Sequence, residues 1–410
     1  MEDGAKILPQ AVSPAGAKPV TPANQAFLRL HEYLQREQYR GYEFDDLLGS
    51  RRLKSLTLEN LFLQRIVVQA GELSPLNIRP LVGVKKLESS KARGFFARGY
   101  LHYAAATGDP VWMKYAEDHL QWLLQHPSAG YPGISWGNAF DFASRGGFFA
   151  RDKPTVVWTA HIAEAFDMAY AASGRPEYLD ALRGASLFIQ TSLERHEDAR
   201  GVCLAYAPGI PSLIFNSNLL GCAALLRWWR HSTEQSAWDV ASRALRWTLS
   251  YLHEDGSWDY GAGQKYAWKD NFHTAYIIDS LLTAHQIGGA ELVPFSAIER
   301  SYQYWIGHFF LSDGTPKYYH DRTYPIDIQC AAQAIETLSR LARTFSGAAA
   351  LADAVTDWTL RHMQKPNGAF RYQIRWFWNN NLESLHWGQA TMLSALGAYL
   401  QMTANRGTVA

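Results

Sequence analysis

Apolar positions recur at helical spacing along almost the whole chain from residue 24 onward. Segments that are apolar and rich in small residues alternate with segments that are amphipathic and more polar. The first kind predicts buried inner helices at about 94–106, 157–172, 216–230, 272–286, 327–343 and 387–402. The second kind predicts outer helices at 58–70, 110–126, 176–194, 236–252, 293–310 and 349–364, and another amphipathic helix is predicted at 26–38.

The inner helices recur at a regular interval. Corresponding positions on the second to sixth inner helices are separated by 57, 56, 55 and 59 residues, at His161, Asn218, Thr274, Gln329 and Gly388. This interval suits a helical hairpin. Six hairpins can close on themselves, so the sequence predicts an all-α (α/α)6 toroid that forms a single domain over 23–410. Residues 1–22, rich in Ala, Pro and Gly, are predicted to be a disordered leader.

The connections between the predicted helices are asymmetric. Inner-to-outer turns are short, whereas the outer-to-inner connections are long, at 130–155, 196–215, 254–271, 313–326 and 366–385. Several of the long ones contain Asp-Gly or Asn-Gly followed by alternating aromatic residues, which favours a tight turn or short hairpin. Long connections in a compact domain usually carry function, and these would all surround one mouth of the barrel. We therefore expect the functional site at that mouth.

One long connection ends in the stretch 266–282, where a polar, aromatic loop becomes an apolar helix. Asp270 and Asn271 are good N-cap residues, and His273 follows in the first turn. His273 is a candidate general acid or base, with Asp270 fixing its orientation, and Asp327 at the next inner-helix start is its candidate partner in proton transfer. The alternative is that the carboxylates only cap their helices and that His273 is a buried structural residue.

Polar and aromatic residues gather at the same end of the other inner helices and in the long connections. Flat aromatic faces beside amides suit pyranose rings, and Arg145 and Arg375 would pair with a carboxylate such as that of a uronate. The candidate substrate-binding residues are Trp136, Asn138, Arg145, His161, Tyr206, Asn216, Asn218, Trp258, Tyr318, Tyr324, Gln329, Arg375, Trp376, His386 and Trp387. The alternative is that the aromatic residues fill the barrel mouth as packing, although a purely structural toroid has no need of polar residues there.

Composition narrows the classes of partner. A formal net charge of +1 over 410 residues argues against nucleic acid and against an anionic membrane surface as the main partner. Three cysteines without a C-x-x-C suit a reducing compartment, and no apolar run is long enough to span a bilayer, so we expect a cytoplasmic protein without a transmembrane segment. The chain has no P-loop, no dinucleotide-binding fingerprint and no short ligand spacing for zinc, so we expect no cofactor and no metal.

Several motifs carry a family resemblance. They are Tyr131-Pro-Gly-x-x-Trp136-Gly, Asn216-x-Asn218-Leu-Leu-Gly, Asp255-Gly-Ser-Trp258, Asp270-Asn-Phe-His-Thr274, Asp313-Gly-x-Pro-Lys-Tyr318, Tyr324-Pro-Ile-Asp327 and Trp387-Gly-Gln389. From about residue 40 the chain resembles a bacterial family of (α/α)-toroid proteins from capsule and exopolysaccharide loci, often loosely labelled prenyltransferase/squalene-oxidase-repeat-like or aminolevulinate dehydratase-like. The resemblance implies a polysaccharide context and a toroid fold, but no mechanism.

A wider similarity, through the turn at 255–258 and the helix start at 270–274, is to terpene cyclases and protein prenyltransferase β subunits. The chain lacks the D-x-D-D acid motif, the D-D-x-x-D diphosphate motif and the paired Asp-x-Cys of those proteins. The leading hypothesis is therefore a carbohydrate-active protein that performs acid/base chemistry on a glycan: epimerisation, elimination or hydrolysis. Two alternatives stay open: a non-catalytic glycan-binding or scaffolding subunit of a polysaccharide-assembly complex, and an isoprenoid cyclase or transferase.

Overall fold

The computed structural model describes residues 21–144 and 147–407, which are mainly helical. In chain order the helices are α1 (Pro22–Arg36), α2 (Arg51–Leu56), α3 (Leu61–Leu73), α4 (Ser90–Thr107), α5 (Val111–Gln125), α6 (Val156–Ser173), α7 (Pro176–Ser192), α8 (Phe215–Ser232), α9 (Gln235–Leu249), α10 (Asn271–Leu292), α11 (Phe295–His308), α12 (Ile328–Leu341), α13 (Ala348–Met363) and α14 (Thr391–Gly407). A π-helical turn, Leu385–Ala390, leads into α14. Arg145 and the predicted leader, apart from its last two residues, lie outside the described residues.

Six helices, α4, α6, α8, α10, α12 and α14, form a closed inner ring. Each packs against the next one, and α14 packs against α4. The first fourteen residues of α8 are all buried, as expected for a helix that is surrounded by others. The predicted all-α (α/α)6 toroid is therefore confirmed.

Two glycines allow the last inner helix to approach the first. A Cβ on Gly99 of α4 would lie 2.8 Å from the backbone of Leu393, and a Cβ on Gly397 of α14 would lie 2.5 Å from the carbonyl oxygen of Gly99. No larger residue fits at either position without moving a backbone. The ring thus closes through backbone-to-backbone packing of α4 and α14.

The outer layer differs from the prediction at one position. Helices α5, α7, α9, α11 and α13 take the predicted outer places, but the sixth place belongs to α1, which packs against α13 and α14. Phe27, Leu30 and Leu34 of α1 are fully buried, and the Phe27 ring stacks 4.0 Å from that of Tyr103. The prediction that 58–70 is the sixth outer helix is wrong, because the ring buries the apolar stripe of α1 and leaves most of α3 exposed.

Short antiparallel strands occur in the long outer-to-inner connections. Strands β1 (Phe142–Ser144) and β2 (Gly147–Phe149) pair with each other, as do β3 (Arg195–Asp198) and β4 (Gly201–Leu204). Strands β5 (Ile326–Asp327), β6 (Gln373–Ile374) and β7 (Asn379–Asn380) form a three-stranded sheet that joins the connections before α12 and α14. The predicted hairpin-like loops are present, and they lie at the end of the barrel where the inner helices begin.

Residues 39–88, which we call the cap segment, connect α1 to α4 and cross this mouth. The backbone at Tyr42 bridges to Ser384, and the Phe44 ring stacks 5.1 Å from that of Tyr372 and lies 4.9 Å from that of Trp387. Arg79 holds the segment together internally through an ion pair of 2.5 Å with Asp46. The cap segment therefore covers the mouth and contributes residues to it.

Below the mouth, a network of buried polar side chains fills the barrel axis and includes a member from every inner helix. We call it the axial network. Its charged members form three positive and three negative groups. They are Arg98 of α4, Glu164 of α6, Arg227 of α8, Asp279 of α10 and both Glu336 and Arg340 of α12, and Ser394 of α14 donates to Glu336 at 2.9 Å.

Glu164 lies at the centre of this network. Its carboxylate is 3.2 Å from Arg98, 2.5 Å from Arg227 and 3.8 Å from Arg340. Burial alone would raise the pKa of Glu164, but Arg227, Arg98 and Arg340 outweigh burial and hold the pKa below its ordinary value. The carboxylate is therefore charged in the folded protein and balances three arginines from three different helices.

We predict that Glu164→Gln destabilises the fold by about 3–5 kcal/mol, because it removes the carboxylate that three buried arginines share. Denaturant unfolding at pH 7 measures the loss. A carboxylate with a lowered pKa stabilises above its unfolded pKa of about 4.3 and loses that effect as the pH falls, so the difference from the unaltered protein shrinks in acid.

The matched control is Asp118→Asn, which removes an exposed carboxylate 3.4 Å from Lys114 on α5. This change is expected to cost less than about 0.5 kcal/mol. Equal effects of the two substitutions at pH 7 would contradict the importance of the axial network.

Candidate active site

The first turns of the six inner helices meet beneath the cap segment. Four of these helices have a capping side chain, from Ser89, Thr155, Asp270 and Asp327, that accepts a backbone N–H of the first turn. Because each inner helix follows a long connection, the polar residues of those connections lie at the same end. The site is therefore built from helix starts, from connection residues and from the cap segment.

The predicted pair of Asp270 and His273 is present on α10. Asp270 Oδ1 accepts the backbone N–H of His273 at 3.0 Å, and Oδ2 lies 2.8 Å from His273 Nδ1. Trp268 Nε1 donates to the same Oδ2 at 3.2 Å. The Asp270 carboxylate is almost fully buried, whereas the imidazole is one-fifth exposed. This arrangement fixes the ring through Nδ1 and leaves Nε2 without a partner among the described residues.

A second histidine is held in the same way. His386 Nδ1 lies 2.8 Å from Glu43 Oε1, and Glu43 also accepts hydrogen bonds from the backbone N–H of His386 and from Ser384 Oγ. Both Glu43 and His386 are buried. His386 was predicted as a binding residue, but its carboxylate partner lies in the cap segment, 343 residues earlier, where the sequence pattern gave no signal.

The starts of α10 and of the π-helical turn before α14 are in contact across the mouth. The Phe272 ring, next to His273 in the chain, lies 5.2 Å from the Trp387 ring, next to His386. The Trp158 ring of α6 lies 5.5 Å from the His386 ring. The two anchored imidazoles therefore belong to one aromatic-walled site.

A buried lysine of α4 lies in the same site. The ammonium of Lys91 is 4.8 Å from the centre of the Trp158 ring and 5.6 Å from that of Trp387. Burial lowers the pKa of Lys91 to about 8, with Glu43 and Asp45 partly offsetting it. Lys91 was not predicted as a site residue. Its signal was a lysine three residues before the predicted inner helix at about 94–106, in a stretch rich in small and aromatic residues.

Several buried polar atoms in the first two turns of the inner helices have no hydrogen-bond partner among the described residues. They are Nε1 of Trp158, both ring nitrogens of His161, Oδ1 of Asn216 and Oε1 of Gln329. His161 lies between the rings of Phe95 and Tyr276, at 5.0 and 4.8 Å. Burial first, then Lys91 and Arg98, holds the pKa of His161 well below its ordinary value, so the ring is neutral. Unpaired buried groups are costly, so these atoms are candidate contacts for a ligand or for buried water.

Asp327 caps α12 from beneath this site. Its carboxylate accepts hydrogen bonds from the backbone N–H of Gln329 at 2.8 Å, from Trp387 Nε1 at 2.9 Å and from Gln373 Nε2 at 2.6 Å. The side chain is fully buried, and burial raises its pKa to about 6 although the hydrogen bonds oppose the shift. In this geometry Asp327 holds Trp387 in place, and its predicted part in proton transfer stays a prediction.

Three predicted binding residues lie in the core between the helix layers. Trp136 Nε1 donates to the carbonyl of Leu123 at 3.0 Å, and Trp258 Nε1 donates to Ser301 Oγ at 2.9 Å. Asn218 is fully buried. Its side-chain oxygen accepts the backbone N–H of Leu204, and its side-chain NH₂ donates to the backbone carbonyl of Val202. Because their polar atoms are satisfied internally, the structure does not bring these three residues to the site.

The remaining predicted residues lie around the mouth at various depths. Gln329 Nε2 donates to Tyr276 Oη at 2.7 Å. The Arg375 guanidinium is 3.7 Å from the Glu72 carboxylate of the cap segment and lies over the Trp378 ring. The other members are the buried Asn138, the half-buried Tyr206 and Tyr318, and the exposed Tyr324 and Trp376.

The comparisons with known proteins were made on sequence and on structure. No known sequence family and no curated protein matches the chain. Solved structures do match it. The cellobiose 2-epimerase of Bacillus thermoamylovorans B4167 superimposes with a TM-score of 0.62 at 11% identity, over 78% of this chain and 88% of that one. A GH76 α-mannanase from Bacteroides thetaiotaomicron gives 0.59 at 14%, over 80% and 88%. An unsaturated glucuronyl hydrolase specific for heparin gives 0.58 at 10%, over 93% and 96%.

The chain shares the (α/α)6 toroid fold of these sugar-processing enzymes. At such low identities the similarity establishes the fold alone, and the residues of the mouth carry any argument about chemistry.

We predict that Lys91→Met stabilises the protein at pH 7 by about 2–3 kcal/mol, because the lowered pKa of about 8 measures the cost of burying the ammonium. The cost is fully present below pH 8 and disappears as the pH rises towards the ordinary pKa of about 10.4. The two unfolding midpoints should therefore converge between pH 8 and pH 10.4 in thermal melts.

Lys114→Met on the exposed face of α5 is the control, with little change expected at any pH. A Lys91→Met variant that is less stable than the unaltered protein at pH 7 would contradict the assignment of Lys91 as an incompletely compensated charge.

Proposed function

We propose that this chain is a carbohydrate-active enzyme that transfers a proton at a sugar carbon, as an epimerase or isomerase does. His273 and His386 are the two proton-transferring groups. The observation that carries this proposal is the pair of imidazoles at one mouth, each anchored at Nδ1 by a buried carboxylate. An anchored ring presents Nε2 in a fixed direction and in a defined tautomer, which general acid/base catalysis requires.

The chemistry needs a carbon next to a carbonyl group, in an open-chain sugar or beside a uronate carboxylate. One histidine removes the proton from that carbon, and the electron pair moves onto the carbonyl oxygen to give an enediolate. A proton returned to the opposite face of the same carbon, from the other histidine, gives the epimer. In an open-chain sugar, a proton returned to the former carbonyl carbon gives the isomer, with the hydroxyl proton of the first carbon moving to the former carbonyl oxygen. The Lys91 ammonium is the buried positive charge that stabilises the developing oxyanion.

The carboxylates of the site favour proton transfer over hydrolysis. Glycosidases usually place two carboxyl groups on either side of the scissile bond. Here Asp270 and Glu43 are occupied by histidines, and Asp327 accepts three hydrogen bonds from protein donors. The carboxylates thus support the imidazoles and Trp387 instead of facing a substrate.

Three further observations support a sugar substrate. Two of the structural neighbours are a cellobiose 2-epimerase and a D-mannose isomerase. The buried unpaired atoms of Trp158, His161 and Gln329 offer donors and acceptors to hydroxyl groups beside aromatic faces. The resemblance to capsule and exopolysaccharide proteins favours a substrate from bacterial polysaccharide biosynthesis or modification. A uronate carboxylate would bind near Arg375, in exchange for Glu72.

Access to this site requires the cap segment to move. Phe44 packs against Tyr372 and Trp387, and His386 is buried with Glu43. We infer that a substrate displaces Phe44 and takes its place against the aromatic rings.

The test is a proton NMR time course in deuterated water with a panel of reducing disaccharides and uronic-acid oligosaccharides. The proposal predicts loss of the signal of one carbon-bound proton, next to the carbonyl or at C5 of a uronate, together with signals of a new epimer or isomer. His273→Ala and His386→Ala should each lower kcat by about 10²–10⁴-fold. His126→Ala, on the outside of the barrel, is the control and should leave kcat unchanged.

The substitution Asp270→Asn tests whether Asp270 supports catalysis by His273 and does not itself bind the substrate. The amide still accepts the backbone N–H of His273, but it no longer stabilises the charged imidazolium. We predict a fall in kcat of about 10²-fold with little change in KM. Full turnover by folded His273→Ala and His386→Ala variants would refute the proposed mechanism. Line broadening of one glycan without turnover would instead support a non-catalytic binding subunit.

A second candidate function is hydrolysis of a glycosidic bond, and Asp45 of the cap segment favours it. Burial, with Glu43 and Asp46 adding to it, raises the pKa of Asp45 well above its ordinary value, and its Oδ1 has no partner among the described residues. A neutral carboxyl of this kind can donate a proton to a leaving group. A new reducing end in the same NMR panel, lost in Asp45→Asn but retained in His273→Ala, would favour this function over epimerisation.

A further inference from the structure

Large apolar side chains are exposed mainly on one part of the surface. Of the sixteen found exposed among the described residues, twelve lie on the cap segment or on the two neighbouring loops at the mouth. They are Leu56, Leu58, Leu61, Phe62, Leu63, Ile66, Leu73, Leu76, Leu81, Tyr324, Trp376 and Phe377. Single exposed apolar residues are ordinary, but such a concentration marks an interaction surface.

Helices α2 and α3 provide half of these twelve residues. Phe62 is 67% exposed, and α3 buries only Gln64, Val68 and Gly71. The β6–β7 hairpin continues the surface, because Asn380 donates to the backbone carbonyl of Glu72 at the end of α3. At the tip of that hairpin Trp376 is 74% exposed and Phe377 is 89% exposed. We call the exposed apolar residues of α2, α3 and this hairpin tip the cap face.

Positive charge lies beside the cap face. A cleft of about 770 Å³ next to α2 is lined by Arg51, Arg52 and Lys85, for which no ion pair is found among the described residues. The two acidic residues in the same lining are already neutralised, Asp46 by Arg79 and Asp141 by Lys54. The cleft thus keeps a net positive charge.

We propose that the cap face is a docking surface for an anionic lipid bilayer. Aliphatic and aromatic side chains next to arginines and lysines are the composition of interfacial membrane-binding segments, and Trp is favoured at the headgroup level. The apolar side chains enter the acyl boundary while Arg51, Arg52 and Lys85 contact anionic headgroups. Among the described residues, no helix has the length and hydropathy of a membrane span.

The charge distribution favours a bilayer over a second copy of the chain. A two-fold interface built on the cap face would bring the uncompensated cations of both copies towards each other, which costs free energy. The formal net charge of +1 argues against an anionic membrane surface for the chain as a whole, and this proposal departs from that expectation because acidic residues elsewhere balance the local cations. The proposal is independent of the reaction proposed above.

The test is co-sedimentation of the full chain with vesicles of phosphatidylcholine alone and of phosphatidylcholine with 30% phosphatidylglycerol. We expect binding to the anionic vesicles that weakens as the salt concentration rises. Arg51→Gln with Arg52→Gln should weaken that binding about 30-fold, since each basic side chain near an anionic surface contributes about a factor of five. Phe62→Gln with Ile66→Gln should weaken it more than about 10-fold.

Matched controls lie on the outer helices. Val111→Gln with Leu187→Gln removes two exposed apolar residues, and Arg183→Gln with Arg300→Gln removes two exposed arginines, away from the cap face. Both pairs should retain full binding. Absence of binding to anionic vesicles, or equal losses in the control pairs, would overturn the proposal. Light scattering that shows a dimer, abolished by Phe62→Gln with Ile66→Gln, would assign the cap face to a second copy instead.

Discussion

Neutralisation of buried charge on the barrel axis is the constraint on which the rest of the structure depends. The partners of Glu164 come from three other helices, so the charges balance only when the ring is closed. Arg98 of the first inner helix pairs with Glu336 of the fifth, and Ser394 of the sixth donates to the same carboxylate. An open array of the same hairpins would separate Arg98 from Glu336 and expose the axis to water, so these buried pairs form only in the closed ring. The axial network therefore favours one closed arrangement of six hairpins.

The axial network also determines where a ligand can bind. With the lower axis filled by charged side chains, the space for a ligand lies at the helix starts. His161 and Gln329 are buried there and contain polar atoms without protein partners, whereas the network atoms without a hydrogen-bond partner, Arg98 Nε and Asp279 Oδ1, belong to side chains that are in ion pairs. An isoprenoid enzyme needs an apolar cavity, and the ionic axis of this barrel gives that alternative no support. A polar ligand with several hydroxyl groups suits the site better.

The fold and the contact that anchors His273 follow from local sequence, whereas the contact that anchors His386 does not. Helical periodicity and the hairpin interval depend on neighbouring residues, so the inner helices were predicted to within a few positions. Asp270 and His273 are three residues apart on one helix start, and their contact was predicted for the same reason. The contact between Glu43 and His386 depends on how the cap segment crosses the closed ring, and no local pattern encodes it. The residue types of Trp136, Trp258 and Asn218 suggested binding, but their orientation towards the core follows only from packing.

Buried charges lie in two separate places, the axial network and the mouth, and this separation explains how the site can open without unfolding the barrel. None of the charged residues of the axial network belongs to the cap segment, so displacement of the cap leaves the inner ring neutralised. Helix α2 has no buried residue and α3 has three, so these two helices bury little apolar area, and the cap segment is held down mainly by Leu47, Leu48 and Val84. Its contacts to the mouth include those of Phe44 and Glu43, which touch Trp387 and His386 of the proposed site, and those of Glu72 with the β6–β7 hairpin. Opening the cap would therefore free the aromatic face and release the His386 anchor together, while closure over a substrate would restore the anchor. Substrate binding and the orientation of one catalytic group are thus coupled through the same short segment of chain.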